Sequence, residues 1–237
     1  PDDAIAHSNL GSVLKNLGKL KEAEVSQRKA IEISPSFANA HSNLGNILKD
    51  LGKSKEAAIH YQKAIDLQPD LAIAHYNLGN ILKDLGKSHD AESFYRKAIE
   101  LNPNFSDAHS NLGITLQTHG KLKEAEISQR KAIQLNPEDA IAHSYLGNIL
   151  KDLGKLKEAE VSILKAIELN PDLTKAYYAL SILNPLSDNT IWQNRLFSRD
   201  ILKNQKKQGL VDIYFARANV LEANDNFNQA SNFLKKA

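Results

Sequence analysis

The chain has 237 residues, 30 of them basic and 28 acidic, for a formal net charge of +2. That balance argues against nucleic acid as a partner, because such binders carry a strong basic excess on one face. The absence of cysteine excludes a disulfide framework and a thiolate metal site. No apolar run nears the ~18 residues of a membrane span and no signal peptide is visible, so no membrane association and a cytoplasmic location are expected.

Taken in order, the chain repeats. Prolines fall at Pro1, Pro35, Pro69, Pro103, Pro137 and Pro171, each 34 residues after the last. Gly11, Gly45, Gly79, Gly113 and Gly147 keep the same step, as do Gly18, Gly52, Gly86, Gly120 and Gly154. So do the alanines beginning at Ala23 and at Ala30. A fixed period of this size marks a solenoid, whose units bury apolar surface only against their neighbours.

Within one unit, 38–69, Ala40, Leu44, Ile47, Leu48 and Leu51 follow helical spacing, and Gly52 supplies the residue that ends the helix. Ala57, Ala58, Tyr61, Ala64, Ile65 and Leu67 make a second amphipathic stretch, stopped by Pro69. Each unit is therefore an αα-hairpin. Gly45 and Ala57 are placed where the two helices cross, a contact too close for larger side chains. The predicted fold is all-α: a right-handed α-solenoid of stacked antiparallel helix pairs, with five regular units over 1–171.

After Pro171 the rhythm falters. Ala176–Leu180 begins a sixth first helix, cut short by Asn184-Pro185. Ile191, Trp192, Leu196, Phe197, Ile201 and Leu202 predict one longer apolar helix that carries the only tryptophan, and a bend is placed near 184–190. Residues 172–210 thus form an irregular sixth pair. A truncated seventh unit occupies 211–237, with Ala230 and Ala237 in the two alanine slots. The chain starts at Pro1 without methionine and stops inside a helical pattern, which reads as a fragment of a longer protein.

The pattern Leu44-Gly45, Ala57, Ala64 and Pro69 resembles the tetratricopeptide repeat in spacing and order, and it recurs through about residues 4–171. The departures are regular. His7, His41, His75, His109 and His143 stand in the family's tryptophan slot, and Leu14, Leu48, Leu82, Leu116 and Leu150 in its tyrosine slot. Its phenylalanine slot holds Gln27, Tyr61, Tyr95, Gln129 and Ile163.

With apolar positions buried, the first helices keep a polar strip: Asn9, Asn43, Asn77 and Asn111 in one row, broken by Tyr145; Asn46, Asn80 and Asn148 in a second; Lys15, Lys49, Lys83 and Lys151 in a third. The family resemblance implies that this strip lines a concave groove. Carboxamides offer both donors and acceptors, so a ladder of them can hold the backbone of an extended peptide. The array is similar to the asparagine-lined repeats of O-linked N-acetylglucosamine transferases, which hold substrate polypeptide. The lysines favour acidic or carboxylate-ended ligands. The opposing account, that recently duplicated repeats share these residues because they were copied, stays open.

The five spaced histidines cannot converge on a metal at ~2.0–2.1 Å and are assigned to packing between the helices of a unit. His60, His89 and His119 are expected to be exposed. Arg195, Arg199, Lys203, Lys206 and Lys207 are read as a solvated basic surface. No cofactor, metal or catalytic constellation is expected.

The leading reading is a non-catalytic protein–protein interaction scaffold that binds an extended peptide or partner protein in its groove. Two others stay open. The last segment is similar to cyanobacterial proteins in which such repeats precede a sulfotransferase domain, which implies a substrate-presenting arm of a larger transferase. Uncapped ends at Pro1 and Ala237 would also suit end-to-end self-association, as a structural spacer.

Overall fold

The computed structural model describes residues 3–187, 190–203 and 205–237. Pro1, the first periodic proline, lies outside them, as do positions 188 and 189 of the stretch where a bend is placed. The chain forms two compact bodies, residues 1–115 and 116–237. All elements among the described residues are helical.

The first body holds α1 (Ala4–Asn16), α2 (Leu20–Ile33), α3 (Ala38–Asp50), α4 (Ser54–Leu67), α5 (Ala72–Asp84) and α6 (Ser88–Leu101). The division at 115/116 falls within α7 (Ser106–Thr118). Each of α1 to α5 packs on its successor, which is the stacked-pair architecture of an α-solenoid. One cluster shows how neighbours share a core: Leu44, Leu48, Ala57, Tyr61 and Ala64 of the second pair pack with Ala74, Leu78 and Ile81 of the third.

The first helices of the regular repeats stop alike, with Gly18, Gly52, Gly86, Gly120 and Gly154 all at positive φ. After α3, Gly52 sits at φ +75°, its N–H donates to the Lys49 carbonyl at 2.9 Å, and the Lys53 N–H donates to the Leu48 carbonyl at 2.8 Å. This is a Schellman stop, and only glycine takes that φ without strain. Starts are less uniform. Asp3 and Asp139 cap α1 and α9 (Ala140–Asp152) by accepting first-turn N–H groups, whereas α2, α4 and α6 have no side-chain cap.

Gly45 is needed for closeness rather than for φ. A methyl group there would meet Cε1 of Tyr61 at 2.6 Å, so this glycine seats the ring across the helix pair.

The second body continues with α8 (Leu122–Leu135), α9 and α10 (Leu156–Leu169), then α11 (Thr174–Leu183), α12 (Thr190–Phe197), α13 (Lys207–Ala223) and α14 (Phe227–Leu234). Here the regularity breaks. α11 is short and packs on α13. The single long helix expected over Ile191–Leu202 is instead the eight-residue α12 followed by a 3-10 turn at Asp200–Leu202.

Arg217 is the reason. Its buried guanidinium donates from Nε to the Leu196 carbonyl and from Nη2 to the Ser198 carbonyl, each at 2.8 Å, while Ser198 Oγ donates to the Arg195 carbonyl. Carbonyls that would have accepted the next helical N–H groups are already occupied. α13 begins at Lys207, before the division placed at 210/211. Ala230 is buried, but Ala237 lies beyond α14 and is exposed, so it fills no packed slot.

Candidate functional site

In the first body, the second row of asparagines is positioned by two neighbours each. Asn46 Oδ1 accepts the Tyr61 hydroxyl at 2.8 Å and the Asn77 Nδ2 at 3.0 Å. Asn80 Oδ1 accepts the Tyr95 hydroxyl at 2.8 Å and the Asn111 Nδ2 at 2.8 Å. Burial raises the pKa of both tyrosines well above the ordinary phenol value, so they remain donors. A carboxamide whose oxygen already accepts two hydrogen bonds is fixed in rotation, with its Nδ2 donors turned away from those partners. Asn46 and Asn80, both half-buried, thus carry oriented donors one repeat apart.

The first row behaves differently from the open ladder predicted. Asn77 is 8 % exposed and Asn111 half-buried, and their amides are used between repeats. Asn111 also donates to the Tyr76 hydroxyl at 3.1 Å, and Asn43 to Ser8 Oγ at 3.3 Å. Only Asn9 of this row is exposed. The cause is register: this row faces the preceding first helix, and two carboxamides on adjacent helices pair readily.

The lysine row divides as well. Lys15 Nζ pairs with Asp50 of the next repeat at 3.2 Å; Lys49 is exposed and Lys83 partly so.

In the second body, Asn148 and Lys151 are half-buried. Ile163 replaces the tyrosine, so no hydroxyl anchors Asn148 as Tyr61 anchors Asn46. Gln117 follows the Lys15 pattern, donating from Nε2 to Asp152 at 2.7 Å. The anchored-donor arrangement thus forms at Asn46 and Asn80. Tyr61 and Tyr95 went unrecognised as its supports, although their place 15 residues after each asparagine was a readable signal.

The repeated histidines do more than pack between helices. Nε2 of His41, His75, His109 and His143 lies 2.9–3.2 Å from the carbonyl of Pro35, Pro69, Pro103 and Pro137, tying each first helix to the turn before it. A carbonyl only accepts, so Nε2 carries the proton. His60 is not exposed: it stacks on His41 with ring centroids 5.4 Å apart and Nδ1 atoms 3.1 Å apart. Burial is the main cause lowering both of their pKa values. His89 is exposed, as anticipated, and His119 half-buried.

The basic surface near the C-terminal end is partly neutralised, with Arg195 on Asp172 at 3.2 Å and Lys203 on Asp200 at 2.7 Å. Among the described residues, no helix is long and apolar enough to cross a membrane.

Family models for the TPR repeat match residues 13–52 and 45–86, and models for the tetratricopeptide repeat match 72–105, 94–127 and 140–173. Together they span well over half the chain. It belongs to the tetratricopeptide repeat family. No curated protein sequence matches it significantly.

Several solved structures are similar. YrrB, a TPR protein with an unusual peptide-binding site, is 28 % identical with a TM-score of 0.63, over 75 % of this chain and 92 % of that one. Pseudomonas aeruginosa PilF is 21 % identical with a TM-score of 0.76, over 86 % and 93 %. A repeat protein from Parabacteroides merdae is 20 % identical with a TM-score of 0.71, over 98 % and 91 %. The last two show the fold alone.

Proposed function

We propose that the first-helix face of residues 1–115 holds an extended polypeptide, making this protein a tetratricopeptide scaffold for a peptide or partner protein. The observation that carries it is the pair of anchored carboxamides. In Asn46 and Asn80 the oxygen is occupied, leaving Nδ2 as the donor that would meet backbone carbonyls of a ligand, at Asn80 beside the Tyr76 hydroxyl. Recognition of this kind reads the main chain and tolerates many sequences. Lys49 and Lys83 on the same strip favour peptides with acidic side chains or a terminal carboxylate. The similarity to YrrB supports peptide binding as the class of activity.

The test is the double variant Asn46→Asp, Asn80→Asp. Aspartate keeps the acceptor used by Tyr61 and Tyr95 while removing the outward donors and adding a charge, so the comparison is made with peptides free of acidic side chains and amidated at the C-terminus. Peptides are selected against the full chain from a displayed random library, and their affinity for both proteins is measured by fluorescence anisotropy. A loss of about tenfold or more, with unchanged helicity, is expected from removing two donors worth about 0.5–1.5 kcal/mol each. Equal affinity, or a library that yields no binder, sinks the assignment.

A further inference from the structure

The irregular sixth pair opens a cavity on the second body. Between α10 and α12 lies a space of about 760 Å³, larger than the about 470 Å³ cleft between α8 and α10. In the regular repeats the neighbouring second helix has 14 residues; here α12 has eight and stops where Arg217 takes its carbonyls. The shortened helix leaves the cleft unfilled. Its walls are apolar, from Val161, Leu164 and Ile167 on α10 and Ile191 and Trp192 on α12.

Two polar groups in this wall are incomplete. Trp192 is 1 % exposed and its Nε1–H finds no acceptor among the described residues; the buried Nε–H of Arg195 finds none either. They stand three residues apart on α12, hence on one face of it. A buried donor left unpaired keeps its desolvation cost uncompensated, so two on one helix face call for an explanation.

The other polar groups here are satisfied. Lys165 pairs with Glu168 at 2.8 Å, Arg195 Nη2 holds Asp172, and the Tyr177 hydroxyl donates to the Pro171 carbonyl at 3.0 Å. Glu168, also in the lining, is taken up by Lys165; what Trp192 Nε1 and Arg195 Nε lack is an acceptor, and what the cavity offers is apolar volume in the range of small-molecule sites.

We infer that this cavity binds a small apolar carboxylate, its hydrocarbon body against Val161, Leu164 and Ile191 and its headgroup accepting from Trp192 Nε1 and Arg195 Nε. A carboxylate fits better than a neutral acceptor because arginine binds it through paired, charge-assisted bonds. This site is separate from the asparagine strip of residues 1–115 and does not depend on it.

Trp192 is the only tryptophan in the chain, so its fluorescence reports the cavity directly. The 237-residue chain is titrated with octanoate and, in parallel, with octanol. Octanoate should give a saturable change below about 1 mM, with octanol at least about tenfold weaker. Arg195→Gln should erase that preference. Ile191→Glu, at a side chain 78 % exposed and so harmless to folding, should weaken both ligands. Absence of a saturable octanoate signal overturns the inference, as does equal affinity for acid and alcohol. An unchanged titration in Ile191→Glu would place the binding elsewhere and equally refute it. Saturation by a peptide ending in a leucine carboxylate but not by octanoate would refute the small-molecule assignment.

Discussion

Gly45→Ala is the sharpest test of how the helix pairs are built. On an exposed helix this change stabilises by about 0.5–1 kcal/mol, because alanine loses less backbone freedom on folding. Here the new methyl would lie 2.6 Å from Cε1, 2.8 Å from Cδ1 and 2.9 Å from Cζ of Tyr61. That ring is fully buried and tethered by its hydroxyl to Asn46, so it cannot swing aside cheaply. Overpacking of this kind costs about 1–3 kcal/mol, leaving a net loss of up to about 2.5 kcal/mol after the helix gain. The decisive comparison is the same change in a Tyr61→Ala background. With the ring gone the clash vanishes, and Gly45→Ala should now stabilise by about 0.5–1 kcal/mol. Urea unfolding followed by circular dichroism at low temperature reads both steps, with the two backgrounds forming a double-mutant cycle. The same sign in both backgrounds would refute the account of Gly45 as a seat for the Tyr61 ring.

Two further predictions concern the supports. Arg217→Met should destabilise residues 190–234 by about 1–3 kcal/mol for each of the two carbonyls left without a donor; hydrogen exchange should show faster opening there and none in 1–115, and uniform weakening would contradict it. The His41–His60 pair should make the first body acid-sensitive. Both folded pKa values lie below the ordinary 6.5, so as pH falls through that value the unfolded chain binds protons first and stability drops. His60→Phe should flatten the decline seen in unfolding midpoints between about pH 7 and 5, and an unchanged slope would exclude the pair as its source.

Repetition made most of the fold legible. A periodic glycine, alanine or proline marks the same backbone event each time, and the Schellman stop at Gly52 and the crossing at Gly45 follow from residue type alone. Single positions outside the period were harder. The early end of α12 depends on Arg217, 21 residues further on than the carbonyl it occupies, and local apolar spacing holds no trace of that bond. The asparagine strip was visible, but the division of labour within it was not. Whether a carboxamide faces a ligand or the neighbouring helix depends on register between helices, which a single unit's spacing does not encode. His60 was misplaced for the same reason, since its partner lies on the facing helix.

The pairing of carboxamides across repeats sets a rule for how such an array can lengthen. Asn46 is steadied from behind by Tyr61 of its own repeat and from the side by Asn77 of the repeat that follows. A unit at the end of the series therefore has its carboxamide held only by its own tyrosine until another asparagine-bearing unit follows it. Asn148, though followed by α11, lacks both supports, with Ile163 behind it and Ala179 where the following asparagine would be. Growth by one unit thus matures the previous unit's donor rather than its own, and the usable length of the strip trails the number of repeats.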